Sequence, residues 1–213
     1  MSLPHHISLR STLRTASACA GIAALALPAH AAVLVQPNDL IAVCTDLRPM
    51  PKMASQDIED YFLMCQPIAG ARCYESGSGQ ESVEFFGRRI ESDLGPIEPN
   101  IVLTSYTFAN GRNPAGSRGL TYYDPVYLAS AIDKLKKVGI RDIVVGCAYP
   151  ADSTKFGASS ADSASWNTNL ALFRDAQHDV ATKAGVGFAD VFAPMMAAIS
   201  VGAITFRSFL VWK

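Results

Sequence analysis

The chain has 213 residues, of which 49% are hydrophobic and 17% are charged, and these proportions are typical of a folded globular domain. Its formal net charge of −1 gives no electrostatic reason to expect nucleic acid or an anionic membrane as a partner. The length suits a single domain with a sizeable hydrophobic core.

The first 31 residues have the pattern of an export signal. Two arginines precede a short apolar block, and Ala29 and Ala31 supply the small residues of an A-x-A cleavage site. We therefore expect a signal peptide over residues 1–31, cleavage after Ala31, and a secreted or periplasmic product of residues 32–213. No apolar stretch reaches the roughly 20 residues that cross a bilayer, so we expect no membrane association after cleavage.

Strand and helix patterns alternate along the rest of the chain. Short runs rich in branched apolar residues predict five strands, over residues 39–44, 69–74, 100–106, 141–148 and 187–191. Apolar residues at helical spacing predict five helices, over residues 55–66, 80–93, 125–138, 165–184 and 194–199. Such alternation, with right-handed crossovers, requires a parallel sheet that is covered on both faces. The predicted fold class is α/β: a three-layer α/β/α sandwich whose five-stranded parallel sheet has the flavodoxin-like order 2-1-3-4-5.

Four cysteines remain after the predicted cleavage: Cys44, Cys65, Cys73 and Cys147. They allow three disulfide pairings, and the sequence does not choose among them. Three of the four lie on predicted apolar strands, where buried free thiols are common, so we expect free thiols. No C-x-x-C pair or His/Cys cluster indicates a metal site.

The turn after the first predicted strand carries the clearest family pattern. Residues 39–49 read DLIAVCTDLRP, which is a buried strand followed by a turn at the edge where open parallel sheets bind ligands. With the segments DYFLMCQP, SYTFANG and GVGFADVFAPMM, it resembles secreted bacterial members of the SGNH (GDSL-type) hydrolases. The resemblance covers residues 39 to about 196. It implies ester hydrolysis, with acylated carbohydrates or other small esters as the ligand class.

That family attacks the ester with a Ser in a Gly-Asp-Ser turn, and a His in an Asp-x-x-His turn takes the proton. Here Thr45 takes the Gly position, Asp46 is retained and Leu47 takes the position of the nucleophile. The family's second block supplies a Gly N–H to the oxyanion, and that Gly falls on Gly79 or Gln80 in the segment ESGSGQES. Asp46 would hydrogen-bond the turn, which is a structural role.

The third family block, G-x-N-D, falls on residues 107–110, with Thr107 at the Gly position and Ala109 at the position of the Asn donor. Asn110 lies next to it, in an Asn-Gly pair that is more typical of a turn.

The Asp-x-x-His block has no counterpart, because neither Asp nor His follows Asp190. We therefore expect the chain to be truncated or diverged after about residue 196. Asp190 ends the last predicted strand and has no partner His. His178 is the one His that remains after the predicted cleavage, and it points away from the apolar face of its helix. We expect His178 to be a solvated surface residue.

The sequence is compatible with three functions. We favour an exported SGNH-like protein that has lost ester hydrolysis, and we therefore assign no residue as catalytic. The second is an active ester hydrolase with atypical residues. The third is a nucleotide- or small-ligand-binding module, because Gly77-x-Gly79-x-x-Ser82 half-matches the dinucleotide fingerprint. No cofactor is expected, and the sequence does not indicate the oligomeric state.

Overall fold

The computed structural model describes residues 35–46, 53–78, 81–106, 125–147, 149–151 and 160–200. Within these residues, strands and helices alternate as predicted. They are β1 Leu40–Thr45, α1 Met53–Met64, β2 Arg72–Glu75, α2 Val83–Asp93, β3 Ile101–Ser105, α3 Pro125–Lys137, β4 Asp142–Gly146, α4 Ser160–Ala184, β5 Gly187–Ala189 and α5 Phe192–Ser200.

The strands form one parallel sheet in the order β2-β1-β3-β4-β5. The register places Val43 between Glu75 of β2 and Leu103 of β3. The three-layer α/β/α architecture and the order 2-1-3-4-5 are thus confirmed. Because the strands are parallel, their carboxyl ends lie along one edge, which we call the carboxyl edge.

The predicted start of β2 is wrong by three residues. The sequence predicts a strand from residue 69, whereas β2 begins at Arg72. Gly70 has φ 71°, a conformation that favours glycine, and Asn38 N–H donates to Ala69 O at 2.8 Å. These two features form a turn before the strand.

The predicted starts of the last two helices are also too late. α4 begins at Ser160, inside the predicted loop 149–162, because Ser and Asp are favoured at helix starts as well as in loops. α5 begins at Phe192, before Pro194. Proline fits there because N–H groups in the first helical turn have no intrahelical acceptor.

One face of the sheet is covered by α2, α3 and α4. Ala42 and Val102 are fully buried at the centre of this face, against Phe86 of α2, Ile132 of α3 and Ala181 of α4. Burial of such apolar surface stabilises the fold by about 25 cal/mol per Å². This face contains the largest cluster of buried side chains among the described residues.

α1 covers the opposite face, where Ile58 and Phe62 pack against Ile41, Val43 and Ile101. Phe192 at the start of α5 is buried with Cys147 and Leu170. Within the described residues, no helix is long and apolar enough to span a membrane.

Candidate functional site

Asp46, the residue that follows β1, is buried at the carboxyl edge. Asp46 is only 1% exposed, and its N–H donates to Ser105 O of β3 at 3.1 Å. Thr45, which ends β1, is half-buried and pairs with Ser105 in the sheet register. The backbone at Asp46 is therefore held against β3.

The loop after β4 contains Tyr149 and is attached to α4. Burial raises the pKa of Tyr149, and the negative charge of Asp46 raises it further. Asn167 of α4 holds the loop in position. Its Oδ1 accepts from Ala151 N–H at 2.7 Å, and its Nδ2 donates to Ala151 O at 2.9 Å. The paired bonds join the loop to α4.

Gly77, in the loop between β2 and α2, lies directly against the β1 turn. A Cβ atom at Gly77 would be 2.6 Å from Thr45 O and 3.2 Å from Thr45 N, so only glycine fits this approach. The sequence analysis did not single out Gly77 for this contact, and its assignment of the second-block Gly to Gly79 or Gln80 stays a prediction. The one signal at Gly77 was the half-matched dinucleotide fingerprint.

Most of the positions that the resemblance singles out lie outside the described residues. They are Leu47, Gly79, Gln80, Thr107, Ala109 and Asn110. Of the remaining candidates, Thr45 and Asp46 are adjacent at the end of β1, as the sequence requires.

Glu75, the last residue of β2, connects three segments beside this turn. Its carboxylate accepts hydrogen bonds from the side chain and the N–H of Ser55, in the first turn of α1, and from the N–H of Gly77. Ser55 is 7% exposed. Burial raises the pKa of Glu75, and these hydrogen bonds only partly oppose it. A carboxylate held by neutral donors thus joins β2, α1 and the Gly77 loop.

A second polar cluster lies beneath the Gly77 loop and is centred on Arg89 of α2. Arg89 Nε and Nη2 donate to the two carboxylate oxygens of Glu81 at 2.7 and 2.7 Å, and Nη1 donates to Asp93 at 2.9 Å. The guanidinium also donates to Ser76 O at 2.5 Å, Ser76 Oγ at 3.1 Å and the Tyr106 hydroxyl at 3.3 Å. Arg89 therefore ties the segment after β2 and the end of β3 to α2.

The cysteines near this edge are poor nucleophiles. Cys44, Cys65, Cys73 and Cys147 are free thiols in the structure. Burial raises the pKa of Cys44 to about 12, so the thiol is protonated at neutral pH. Burial also raises the pKa of Cys147, whose Sγ donates to Asp190 Oδ1 at 3.7 Å.

Asp190 stabilises a helix start. Its Oδ1 accepts from Ala193 N–H at 3.0 Å, in the first turn of α5, where a carboxylate also favours the helix dipole. Its Oδ2 lies 3.8 Å from Arg174 Nη1. These contacts give the Asp after β5 a structural role that needs no partner His.

His178 lies far from the β1 turn. It is exposed on α4, and its ring centroid is 5.0 Å from that of Phe188 in β5. β5 is three strand positions from β1, or about 14 Å at the usual interstrand spacing. The prediction of a surface His is confirmed, and His178 is too distant to act as a base at the β1 turn. It is the single His among the residues that the structure describes.

No metal-binding constellation is present in the described part of the chain, where no group of three or more His, Cys, Asp or Glu side chains is placed to hold an ion.

The sequence matches no protein-family model and no curated protein. Its fold is similar to that of a gut microbial diltiazem-metabolizing enzyme, BT4096, with a TM-score of 0.63 and 17% identity over 78% of this chain. The chain spans only 39% of the length of BT4096.

Two other similar structures match over most of both chains. A catalytic mutant of Axe2, an acetylxylan esterase from Geobacillus stearothermophilus, gives a TM-score of 0.61 and 14% identity over 84% of this chain and 86% of Axe2. A GDSL-like lipase from Parabacteroides merdae gives a TM-score of 0.61 and 12% identity over 79% and 84%. The catalytic mutants of Axe2 replace a Ser, an Asp or a His by Ala. At these identities the likeness is one of fold, and the chain has the fold of the SGNH (GDSL-type) hydrolases.

Proposed function

We propose that this protein is an exported SGNH-like protein that binds an acylated carbohydrate, or another small ester, without hydrolysing it. One observation carries the proposal. Several hydrogen bonds and ion pairs hold the carboxyl edge in place, whereas the nucleophile and the base that an SGNH hydrolase needs are replaced or distant.

The loss of hydrolysis is argued from the nucleophile and the base. Leu47 follows Asp46 directly and has no nucleophilic atom. The neighbouring hydroxyl of Thr45 would need a base, because an alcohol is almost fully protonated at neutral pH. The one described His lies beside Phe188 of β5, at the far edge of the sheet. A complete Ser–His–Asp set supplies on the order of 10⁶-fold in kcat, so its loss leaves a rate near background.

Ligand binding is argued from the contacts that hold the carboxyl edge in place. Arg89 and Glu81 form a bidentate ion pair under the Gly77 loop, and Gly77 is packed against Thr45. Such support fixes loop geometry, and fixed geometry favours ligand binding because less entropy is lost on association. The ligand class comes from one structural neighbour, which is named as an acetyl-xylooligosaccharide esterase.

Turnover and binding are tested on the same purified protein. We expect hydrolysis of p-nitrophenyl acetate at the rate of buffer alone, unchanged in His178→Ala. We expect binding of acetylated xylo-oligosaccharides, detected by ligand-observed NMR, and weaker binding of the deacetylated sugars. Robust turnover that persists in His178→Ala would contradict the loss of activity and identify an atypical hydrolase. Absence of binding to both sugars would refute the proposed ligand.

Export is tested separately. The positive start, the apolar block and the A-x-A site support cleavage after Ala31. We expect N-terminal sequencing of material from the periplasm or culture medium to begin at Ala32. A sequence that begins at Met1, in protein recovered from either fraction, would rule out this signal peptide.

A further inference from the structure

We infer that the outer edge of β2 is a strand-pairing surface for a second copy of this chain, and that Glu59 of α1 keeps this edge closed. Among the described residues, β2 lies at one end of the sheet and has a strand on one side only, so its other side is what we call the outer edge. The inference concerns self-association, and it depends neither on ester hydrolysis nor on the proposed sugar ligand.

The backbone groups of β2 alternate between its two sides. The N–H groups of Arg72 and Ser76 each donate, at 2.9 Å, to a carbonyl oxygen of the chain segment that contains β1. Successive residues of a strand direct their N–H and C=O groups to opposite sides. Those of Cys73 and Glu75 therefore point to the outer edge.

Glu59 occupies this outer edge. Its Oε1 accepts from Cys73 N–H at 2.6 Å, so a side chain of α1 takes the place that a carbonyl oxygen of a further strand would take. Edge strands with unpaired backbone groups are templates for pairing with another chain, and proteins commonly cover or block such edges. Glu59 therefore keeps another strand from adding to the sheet at β2.

The sequence of β2 favours a second copy as the partner. Facing residues of an antiparallel pair lie on the same face of the sheet, so two copies of one strand pair about a two-fold axis through a residue. An axis at Tyr74 pairs Cys73 of each copy with Glu75 of the other, which uses every outward N–H and C=O of the strand Arg72–Glu75. It also places the two Tyr74 rings, each 42% exposed, opposite each other, and cross-strand aromatic pairs stabilise sheets.

The first test is the mass of the purified protein, measured by light scattering after size-exclusion chromatography over a range of protein concentrations. For Glu59→Ala we expect the mass to rise toward twice the monomer mass as the concentration increases, because Cys73 N–H loses its acceptor. The wild-type protein should remain a monomer throughout, and so should Glu59→Gln, since its amide oxygen can still accept from Cys73 N–H. A Glu59→Ala protein that stays monomeric would overturn the inference, as would a wild-type or Glu59→Gln protein that dimerises equally strongly.

Tyr74→Lys, added to Glu59→Ala, tests whether the dimer forms through β2. It places two ammonium groups opposite each other at the two-fold axis, where like charges oppose strand pairing, so we expect the monomer mass to return. Dimers that persist in the double variant would form through another surface and would refute the pairing.

Asp60→Ala is the matched control for Glu59→Ala. Asp60 is the next residue of α1 and is exposed, and its replacement removes the same charge without touching the outer edge. We expect this variant to remain a monomer. Dimerisation equal to that of Glu59→Ala would show that the loss of a negative charge on α1 is sufficient, which is incompatible with a specific role of Glu59.

Glu59→Met is the second variant if Glu59→Ala does not fold. Methionine keeps the length of the side chain and favours helices, but its sulfur is only a weak acceptor. We expect the same rise in mass with concentration. A folded Glu59→Met protein that stays monomeric would overturn the inference. Failure of both variants to fold would do so too, because Glu59 would then be required for the fold itself.

Discussion

At the scale of single residues, two carboxylates at opposite ends of the sheet, the buried Asp39 and the half-buried Glu75, have opposite electrostatic environments. Asp39, before β1, accepts from Arg141 Nη1 at 2.9 Å and Nη2 at 2.7 Å, and these charged bonds lower its pKa. Glu75, at the carboxyl edge, is held by neutral donors, and burial raises its pKa. The two groups should therefore give stability changes of opposite sign as the pH falls.

Glu75→Gln should raise stability at pH 8. When folding raises the pKa of an acid, its carboxylate form destabilises the folded state at pH values above the folded pKa. Lowering the pH through that pKa protonates the group and removes this destabilisation. Gln is permanently neutral and can still accept from Ser55 and Gly77. We expect a higher Tm than wild type at pH 8 and a difference that closes toward pH 5. A Tm below wild type at pH 8 would contradict this account.

Asp39→Asn should behave in the opposite way. A carboxylate whose pKa is lowered by folding stabilises the fold above its unfolded pKa, and this stabilisation is lost as the pH falls through the folded pKa. Asp39 is 3% exposed, and its partner Arg141 would lose this carboxylate while keeping that of Asp142. Urea unfolding at pH 7 should show that the variant loses about 2 kcal/mol of unfolding free energy, the contribution of a hydrogen bond to a charged group. This loss should become smaller in acid. A loss that is the same at pH 3 and pH 7 would argue against the ion pair.

At the scale of elements, the predicted strands and helices follow from periodicity, and the contacts that build the site do not. β1, β3 and β4 were predicted because buried parallel strands appear as apolar runs. The Asp39–Arg141 pair joins residues 102 positions apart, and the approach of Gly77 to Thr45 depends on how two strands pair. Neither contact leaves a local pattern, because the distance between such residues is set by the sheet order.

α2 illustrates how one element holds the carboxyl edge. The amphipathic pattern predicted its buried face, which includes Phe86 and Ile90. Its polar neighbour Arg89 was not singled out, since a lone Arg on a helix is usually solvated. In the structure its guanidinium also stacks over Phe86, with Cζ 5.3 Å from the ring centroid. The helix therefore contributes both core packing and the support of the Gly77 loop.

Arg89→Lys should destabilise the protein by about 2–3 kcal/mol. Lysine keeps the charge but cannot form the bidentate pair with Glu81 or reach Ser76 and Tyr106 together. Each lost hydrogen bond to a charged group contributes about 1.5–3 kcal/mol, and the lysine ammonium replaces part of that contribution. Glu81, with a side chain 8% exposed, would be left poorly paired. Urea unfolding at pH 7 measures the loss.

Arg88→Lys is the control for that variant. Arg88 is the neighbouring residue on α2, and it pairs with Glu84 at the surface, with 65% of its side chain exposed. Exposed pairs of this kind contribute about 0.3–0.5 kcal/mol, so the change should be within error. Equal losses for Arg88→Lys and Arg89→Lys would mean that the Arg89 cluster has no special role.

At the scale of the whole molecule, the sheet order decides which residues can react together. The order β2-β1-β3-β4-β5 places the β1 turn next to β2 and β3, and it places Phe188 and His178 at the far edge. The sequence predicted the strand order and a surface position for His178, but the distance between His178 and the β1 turn emerges only from the structure. It could not predict that Glu75 and Ser55 would meet at the β1 turn, since their contact depends on the packing of α1 against β2.

Restoring the nucleophile alone should restore almost no esterase activity. Leu47→Ser would introduce a hydroxyl after Asp46, but the one described His lies at the far edge of the sheet, and triad members act as a unit. Adding Thr45→Gly and Ala109→Asn would rebuild the family turn and one oxyanion donor, worth roughly 3 kcal/mol in a working site. We expect both the single and the triple variant to hydrolyse p-nitrophenyl acetate at background rates.

The limiting group in that series is the base, and the decisive variant therefore adds one. Grafting an Asp-x-x-His segment after Met196 onto the triple variant should give turnover well above the triple variant alone, with a pH profile that follows the ionisation of an imidazole. The same graft with its His replaced by Ala is the control and should return the rate to background. Robust turnover by Leu47→Ser without the graft would show that another base already faces the β1 turn, and Glu75 and Asp46 would then be the first carboxylates to replace.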